Sequence, residues 1–253
     1  MDTNLPEAFV PKGTGPHRKA KSSWLRAPRA ITVVLTALLL LNTQALCGQT
    51  PIHITFESDE LGTFPSQWTA RNGNHAKNIY SVRAEGEKRF LHADAKSVSV
   101  QIGCERKWSL KEFPLLTWQW RAILFPVNTN EREKRGNDSV LGLYAVFGHM
   151  PFIKAIKYIW SDTLPEGITF DSPSSSSAKI VVLRSGRALM GKWVAETRDV
   201  LADYRRFFGN GSKDPVADGL AILTDSDDSK SHAIGDYMAI EALAKQSQDQ
   251  SDP

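Results

Sequence analysis

The acidic loop at residues 225–229 is the densest group of potential metal ligands in the chain. It reads Asp-Ser-Asp-Asp-Ser, and Asp236 follows eleven residues after Asp225. Oxygen ligands at alternate positions suit Ca²⁺, and the spacing to Asp236 is that of an EF-hand loop. Lys230, however, stands where an EF-hand needs glycine, and the flanking segments are predicted as strands. An ordinary solvated turn therefore remains the alternative.

Glycoside cleavage by two carboxylates is the remaining catalytic chemistry open to this chain. Such a pair needs only to lie about 5–9.5 Å apart in space, so it leaves no mark in a sequence. Glu196, beside Arg198 and Asp199, is the candidate for one member, although a buried ion pair explains the trio equally well. No G-x-S-x-G, H-E-x-x-H or phosphate-cradling glycine loop occurs in the chain. A non-catalytic protein is preferred.

A candidate ligand-binding surface follows from the predicted strand 115–124. Side chains alternate between the two faces of a strand, so Trp118 and Trp120 share one face. Core packing is favoured over sugar stacking for these two rings. Gln119 and Arg121 then lie on the opposite face. A sheet face with aromatic rings and amide or guanidinium donors is what sugar recognition uses.

Neighbouring strands extend this surface at positions of matching parity, although parity between strands depends on their register. The predicted ligand-binding residues are Gln119, Arg121, Tyr144, Trp160 and Arg184. The alternative is that these residues are scattered over the surface and that Trp160 lies in the core.

Short apolar or alternating runs separated by turn residues predict a sheet-rich chain from Gly48 onward. The predicted strands are 52–56, 79–84, 90–94, 97–102, 115–124, 140–147, 155–161, 179–185, 219–224 and 237–243. One helix is predicted at 198–208, with Gly209 as its stop, and residues 128–138 and 171–177 are predicted as loops. The fold class is therefore all-β, an antiparallel β-sandwich of jelly-roll type with one short helix.

The N-terminal segment has the pattern of a secretory signal peptide. A basic stretch runs into the apolar block 30–41, which is too short to span a membrane, and small residues follow around 45–48. Cleavage near Gly48 is preferred over lipid attachment at Cys47, and membrane contact is expected only through an uncleaved or lipidated leader. The predicted organisation is a leader at 1–47, one domain at 48–244 and a polar tail at 245–253, in a periplasmic or secreted protein.

Charge and cysteine content restrict the function of the exported part. Six of the 31 basic and two of the 28 acidic residues lie in 1–47, which leaves 25 basic and 26 acidic residues beyond it. That balance does not favour nucleic acid or an anionic membrane as a partner. Cys104 is the single cysteine after the leader, so no internal disulfide is available and a buried thiol is predicted.

Seven segments, in order across residues 52–243, resemble the bacterial family DUF3047. They are ITFESDELGTFPSQW, LTWQWRA, the Asn137–Asp138 turn before VLGLYAVF, YIWS, VVLRSG, KWVAETRDVLADYRRFFG and LAILTDSDDSKSHAIGDYMAIEAL. The resemblance implies an exported protein of unknown function with a sandwich similar to carbohydrate-binding modules. Asn137 departs from the family, in which two acidic residues are more common at that turn, and this argues against a metal role there.

The resemblance also implies a structural Ca²⁺ site at which Glu57 near the first strand meets Asp236 near the last; no other cofactor is expected. The function predicted for the chain is ligand binding without chemistry, with a cell-envelope glycan or another envelope component as the partner. A glycan-active hydrolase using paired carboxylates, with Glu196 as one member, and an envelope scaffold or assembly protein are the alternatives.

Overall fold

The structure, a computed structural model, describes residues 52–70, 73–149 and 151–245. The predicted leader with Cys47, and the tail beyond Lys245, lie outside the described residues. None of the helices in the described part is long and apolar enough to cross a membrane.

Half-buried, alternating segments form most of the regular structure, as the predicted sheet rhythm requires. Thirteen strands and two helices are described, in the order β1 (His53–Ile54), β2 (Thr69–Ala70), α1 (Gly73–Ile79), β3 (Tyr80–Glu85), β4 (Lys88–Lys96), β5 (Ile102–Ser109), β6 (Leu115–Leu124), β7 (Leu141–Phe147), β8 (Lys154–Ser161), β9 (Thr169–Ser172), β10 (Ser175–Ser185), β11 (Val194–Asp199), α2 (Val200–Phe208), β12 (Val216–Leu223) and β13 (His232–Leu243).

The strands build two sheets. The six-stranded sheet has the order β11-β6-β13-β4-β3, with β1 also paired to β13. The seven-stranded sheet has the order β2-β5-β12-β7-β8-β10-β9. Neighbours are antiparallel except β8 and β10, which run parallel. The all-β prediction is confirmed, with this parallel pair as an addition.

The core lies between the two sheets and is rich in aromatic rings. From β6 it receives Trp118 and Trp120, whose rings pack edge to face at 5.3 Å, and from β8 it receives Tyr158 and Trp160. All four side chains are at most 1% exposed. Large apolar rings give the greatest gain on burial, so this cluster stabilises the contact between the sheets. The core role predicted for Trp118 and Trp120 is confirmed.

The structure departs from the predicted elements at several places. Strands β2, β9 and β11 were not predicted, and β11 includes Arg198, where the helix was predicted to begin. Strand β5 covers 102–109 instead of 97–102, residues 171–177 belong largely to the hairpin of β9 and β10, and a second helix, α1, lies before β3. Helix α2 agrees with prediction, because Asp199 caps its first turn through the Ala202 amide at 2.9 Å and Gly209 ends it with a φ of 81°. Cys104 is buried, as predicted.

Candidate functional site

The five predicted ligand-binding residues do not share one surface. Gln119 and Arg121 lie on the outer face of the six-stranded sheet, opposite the inward Trp118 and Trp120. Tyr144 belongs to the other sheet, where it pairs with Lys157. Trp160 lies in the core, where its indole N–H donates to the Gly186 carbonyl. Arg184 lies on β10 and donates to the carboxylate of Glu196.

Arg121 is the centre of a closed ion network. Its Nε and a terminal nitrogen donate to one oxygen of Asp236 at 2.8 and 2.7 Å, and its other terminal nitrogen donates to Glu85 at 2.8 Å. The guanidinium carbon also lies 4.5 Å from the ring centre of Trp193. The second oxygen of Asp236 contacts His92 Nδ1 at 2.7 Å. These contacts leave the guanidinium engaged by the protein itself.

Glu196 is held in a similar way. Its Oε1 accepts hydrogen bonds from Arg184 Nε at 2.7 Å and from the Trp120 indole at 3.1 Å, while Oε2 accepts from the second Arg184 nitrogen at 3.1 Å. This carboxylate is only 8% exposed. The geometry therefore matches the ion-pair alternative for Glu196, since each oxygen already has a strong donor. Hydrolysis with Glu196 as the acid would require breaking this pair.

The two residues predicted to hold Ca²⁺ have other contacts. Asp236 is fully buried and both its oxygens are used by Arg121 and His92. Glu57 accepts a hydrogen bond from the Arg89 backbone amide at 3.1 Å. A calcium site at these two residues stays a prediction.

Carboxylates with ligand-like spacing occur instead at the ends of β7 and β12. One oxygen from each of Asp138, Asp227 and Asp228 lies within 4.8 Å of the others. Asp138 precedes β7 and the other two follow β12, which is the antiparallel neighbour of β7. The sequence identified the loop at 225–229 as a candidate but gave no sign that Asp138 joins it, because the strand pairing is non-local.

An open groove of about 520 Å³ lies beside the end of α2. It is lined by Pro151, Phe152, Ile153, Lys154, Ser176, Ser177, Lys179, Phe207 and Phe208. The side chain of Phe152 is 83% exposed, the highest value among the exposed large apolar residues of the described part. An aromatic ring left in water beside a concave surface marks a candidate contact site for a ligand or partner.

Elements from one stretch of the domain, residues 151–208, position the groove. Lys154 begins β8, Ser177 and Lys179 lie on its parallel neighbour β10, and Phe208 ends α2. The Lys154 ammonium lies 5.1 Å from the centre of the Phe208 ring, which packs on Phe147 in turn. Sequence reasoning missed this groove, although the adjacent pair Phe207-Phe208 with little apolar sequence after it was a usable signal.

Comparisons with known proteins place the chain in a family. The carbohydrate-binding module TmCBM27, studied for specific mannan recognition, is 11% identical with a TM-score of 0.34, and the match covers 78% of this chain and 98% of that module. The xyloglucanase domain of NopAA, a type three effector from Sinorhizobium fredii in complex with cellobiose, is 8% identical with a TM-score of 0.39, covering 78% and 99%. Among curated proteins, none matches the sequence. The model of DUF3047, a family of proteins of unknown function, matches residues 66–241, and the chain therefore belongs to the DUF3047 family.

Proposed function

We propose that this protein is an exported, non-catalytic glycan-binding β-sandwich whose ligand lies in the groove beside α2. The observation that carries the proposal is the exposed ring of Phe152 at the edge of a concave surface that also offers ammonium and hydroxyl donors. A groove of about 520 Å³ falls in the size range of small-ligand sites, roughly 300–1,000 Å³.

The chemistry of the groove suits a sugar. A pyranose has an apolar C–H face that packs on an aromatic ring and a rim of hydroxyls that need hydrogen-bond partners. Phe152, Phe207 and Phe208 supply rings, while Ser176, Ser177 and Lys154 supply polar groups at the same surface. The combination of rings and donors separates this groove from a purely apolar patch, which would fit a protein partner better.

The Arg121 surface is the weaker site for a ligand. Three of its guanidinium nitrogens already donate to Asp236 and Glu85, and its face is stacked on Trp193. A sugar would have to compete with a buried carboxylate for these donors. Binding there would therefore cost more than binding at Lys154, whose ammonium pairs with no carboxylate in the described part of the chain.

The cellular setting of the proposal rests on the leader pattern. An exported protein meets cell-envelope glycans, which makes them the proposed partners, and the balance of 25 basic and 26 acidic residues beyond position 47 gives no reason to add nucleic acid.

The test is a calorimetric titration with soluble peptidoglycan fragments and with mannan-type and glucan-type oligosaccharides. The protein is recovered from cells that express the full chain. We expect one class of glycan to bind and Phe152→Ala to weaken its Kd at least tenfold. Because Phe152 is 83% exposed, the substitution should leave the unfolding transition unchanged.

Leu61→Ala is the matched control, since Leu61 is an exposed apolar residue at 51% that does not line the groove. It should bind the glycan as the wild type does. Equal affinity in the wild type and Phe152→Ala would exclude the groove, and no binding by any glycan would favour the scaffold alternative.

A further inference from the structure

The acidic cluster between β12 and β7 contains more negative charge than its surroundings neutralise. One oxygen from each of Asp138, Asp227 and Asp228 lies within 4.8 Å of the others, and the buried Asp225 adjoins Asp227. Asp138 and Asp225 are 0% and 4% exposed, so two of the four carboxylates are removed from water. Buried carboxylates normally have a cation or several donors beside them, because transfer of an isolated charge from water is very costly.

Asp138 holds the loop around itself. One of its oxygens accepts the Asp228 amide at 3.1 Å, and the other accepts the Ser229 amide at 2.7 Å together with the Ser229 hydroxyl. Asn137 donates from its side-chain amide to Asp228 at 2.8 Å. Asn137 therefore helps to orient a carboxylate of the cluster, although it supplies no carboxylate of its own.

Asp225 lacks the donors that Asp138 has. Its Oδ1 is buried and has no hydrogen-bond partner within the described part of the chain. Its carboxyl group lies close enough to that of Asp227 for a hydrogen bond, yet both groups are acceptors when ionised. With both groups ionised the arrangement is unfavourable, and a proton on one carboxyl or a cation between the two relieves it.

Lys157 does not fill that position. Its buried ammonium donates to the Ser139 hydroxyl at 2.9 Å and lies 5.5 Å from the centre of the Tyr144 ring. Within the described residues it forms no ion pair with a carboxylate of the cluster. Lys230 follows the loop, but its side chain is exposed.

We propose that Asp138, Asp227 and Asp228, together with the adjoining Asp225, bind a divalent cation, with Ca²⁺ as the best fit. All the offered ligands are carboxylate oxygens, which favours a hard cation over zinc or copper. Ca²⁺ accepts several carboxylates in irregular geometry, whereas Mg²⁺ demands near-octahedral geometry and keeps most of its water. The cation ties the loop after β12 to the start of β7 and stabilises the fold independently of the groove beside α2.

The experiment compares the thermal unfolding of the protein in EDTA with that in CaCl₂, MgCl₂ and MnCl₂. Ca²⁺ should raise Tm in a saturable way, and calorimetry should give a stoichiometry of one. In Asp225→Asn the response to Ca²⁺ should disappear. The same variant should be at least as stable as the wild type in EDTA, because an amide removes one of the facing charges and can donate to Asp227.

Asp227→Asn is the second variant, since Asp227 is only half-buried and its replacement carries less risk for folding. Glu87→Gln is the matched control, because it removes an exposed carboxylate from the β3–β4 turn and should respond to Ca²⁺ as the wild type does. The proposal fails if none of the three cations shifts Tm, or if both variants keep the full response. A response to Mg²⁺ without one to Ca²⁺ would overturn the choice of metal.

Discussion

Two groups of buried carboxylates in this protein differ in how their charge is balanced. In the Arg121 network, Asp236 is fully buried, but a guanidinium and an imidazole contact its two oxygens. In the acidic cluster, Asp225 is nearly as buried, but its Oδ1 has no hydrogen-bond partner among the described residues, and the carboxyl of Asp227 lies beside it. Both oxygens of Asp236 therefore have positively charged or N–H partners, whereas Oδ1 of Asp225 has none among the described residues.

The contrast separates a structural ion pair from a candidate binding site. Arg121 was predicted from the sequence to bind a ligand because its guanidinium donates hydrogen bonds. In the structure these donors contact Asp236 and Glu85 of the same sheet. A carboxylate that remains without a donor after folding is the stronger sign that a ligand is missing. Substitutions in the two groups should differ in their effect on the free energy of unfolding and on the response to Ca²⁺.

The largest effect is expected from Arg121→Met, which keeps the apolar stem but removes the charge. Asp236 would then be buried with His92 as its only remaining side-chain partner. Removing one partner of a buried pair typically costs about 3–5 kcal/mol, so the free energy of unfolding in urea should fall by that amount.

The control for this change is Arg83→Met, because Arg83 is exposed on β3. It should change the stability by less than about 0.5 kcal/mol. Adding Asp236→Asn to Arg121→Met should recover part of the loss, since the amide carries no charge. A loss below about 1 kcal/mol in the single variant would show that Asp236 does not depend on Arg121 for its charge balance.

The cation response should be independent of the Arg121 network. At a Ca²⁺ concentration of 100 times Kd, a single site stabilises the folded state by about 2.7 kcal/mol. Arg121→Met should therefore show the same gain in unfolding free energy on addition of Ca²⁺ as the wild type, because distant sites act additively. Loss of the gain in this variant would place the cation at Asp236 instead, as the sequence predicted.

A somewhat smaller effect is expected from Glu196→Gln. The glutamine keeps one acceptor but places an amide N–H₂ against Arg184, which loses a charge-assisted pair. Hydrogen bonds to charged groups contribute about 1.5–3 kcal/mol, and urea unfolding should reveal a loss in that range without a change in glycan affinity. If the variant instead kept its stability and lost a hydrolytic activity on soluble glycans, Glu196 would be catalytic.

The smallest effect is expected at Asp199, a half-buried carboxylate with full partners. It accepts the Ala202 amide at 2.9 Å and the Lys245 ammonium at 2.7 Å. Asp199→Ala should cost about 1 kcal/mol, as the loss of a helix cap usually does, and urea unfolding at neutral pH measures it. Glu112→Ala, which removes an exposed carboxylate, should cost less than about 0.5 kcal/mol.

The stability difference between the wild type and Asp199→Ala should depend on pH in a definite direction. Burial alone would raise the pKa of Asp199, but the hydrogen bonds from Lys245 and Ala202 outweigh it, and the pKa is lowered. An acid whose pKa is lowered by folding stabilises the folded state above its unfolded pKa and loses this contribution as pH falls through the folded value. The stability difference between wild type and Asp199→Ala should therefore shrink on acidification below the ordinary pKa of an aspartate; a constant difference would contradict the pairing.

Much of the fold was predictable because the alternation of apolar and polar residues along a strand is a local signal. Strand β6 was predicted at its observed bounds, since its apolar residues repeat with period two between turn residues. Strand β5 was not, because Glu105, Arg106 and Lys107 interrupt it with a charged run typical of a turn. The serines of β10 likewise read as a loop, and only pairing with β8 and β9 makes them a strand.

The candidate sites were less predictable because they depend on register. Trp160 pairs with Leu141 and so shares the inward face, whereas Tyr144 pairs with Lys157. No property of either residue alone distinguishes the two outcomes. The groove beside α2 was missed for a related reason, since its rings and ammonium groups come from a helix and two strands that meet only after packing.

Local sequence was enough to predict the sheet-rich character of the chain, the inward tryptophans of β6, the stop of α2 at Gly209 and the family resemblance, because these follow from neighbours within a few residues. Which charged side chains contact one another depends on the tertiary fold. Arg121 and Asp236 are 115 residues apart and form a closed pair, while Asp138 joins a loop about 90 residues later and leaves Asp225 without a donor. Strand pairing sets such contacts through packing of the whole core, and alternation along one strand carries no information about them.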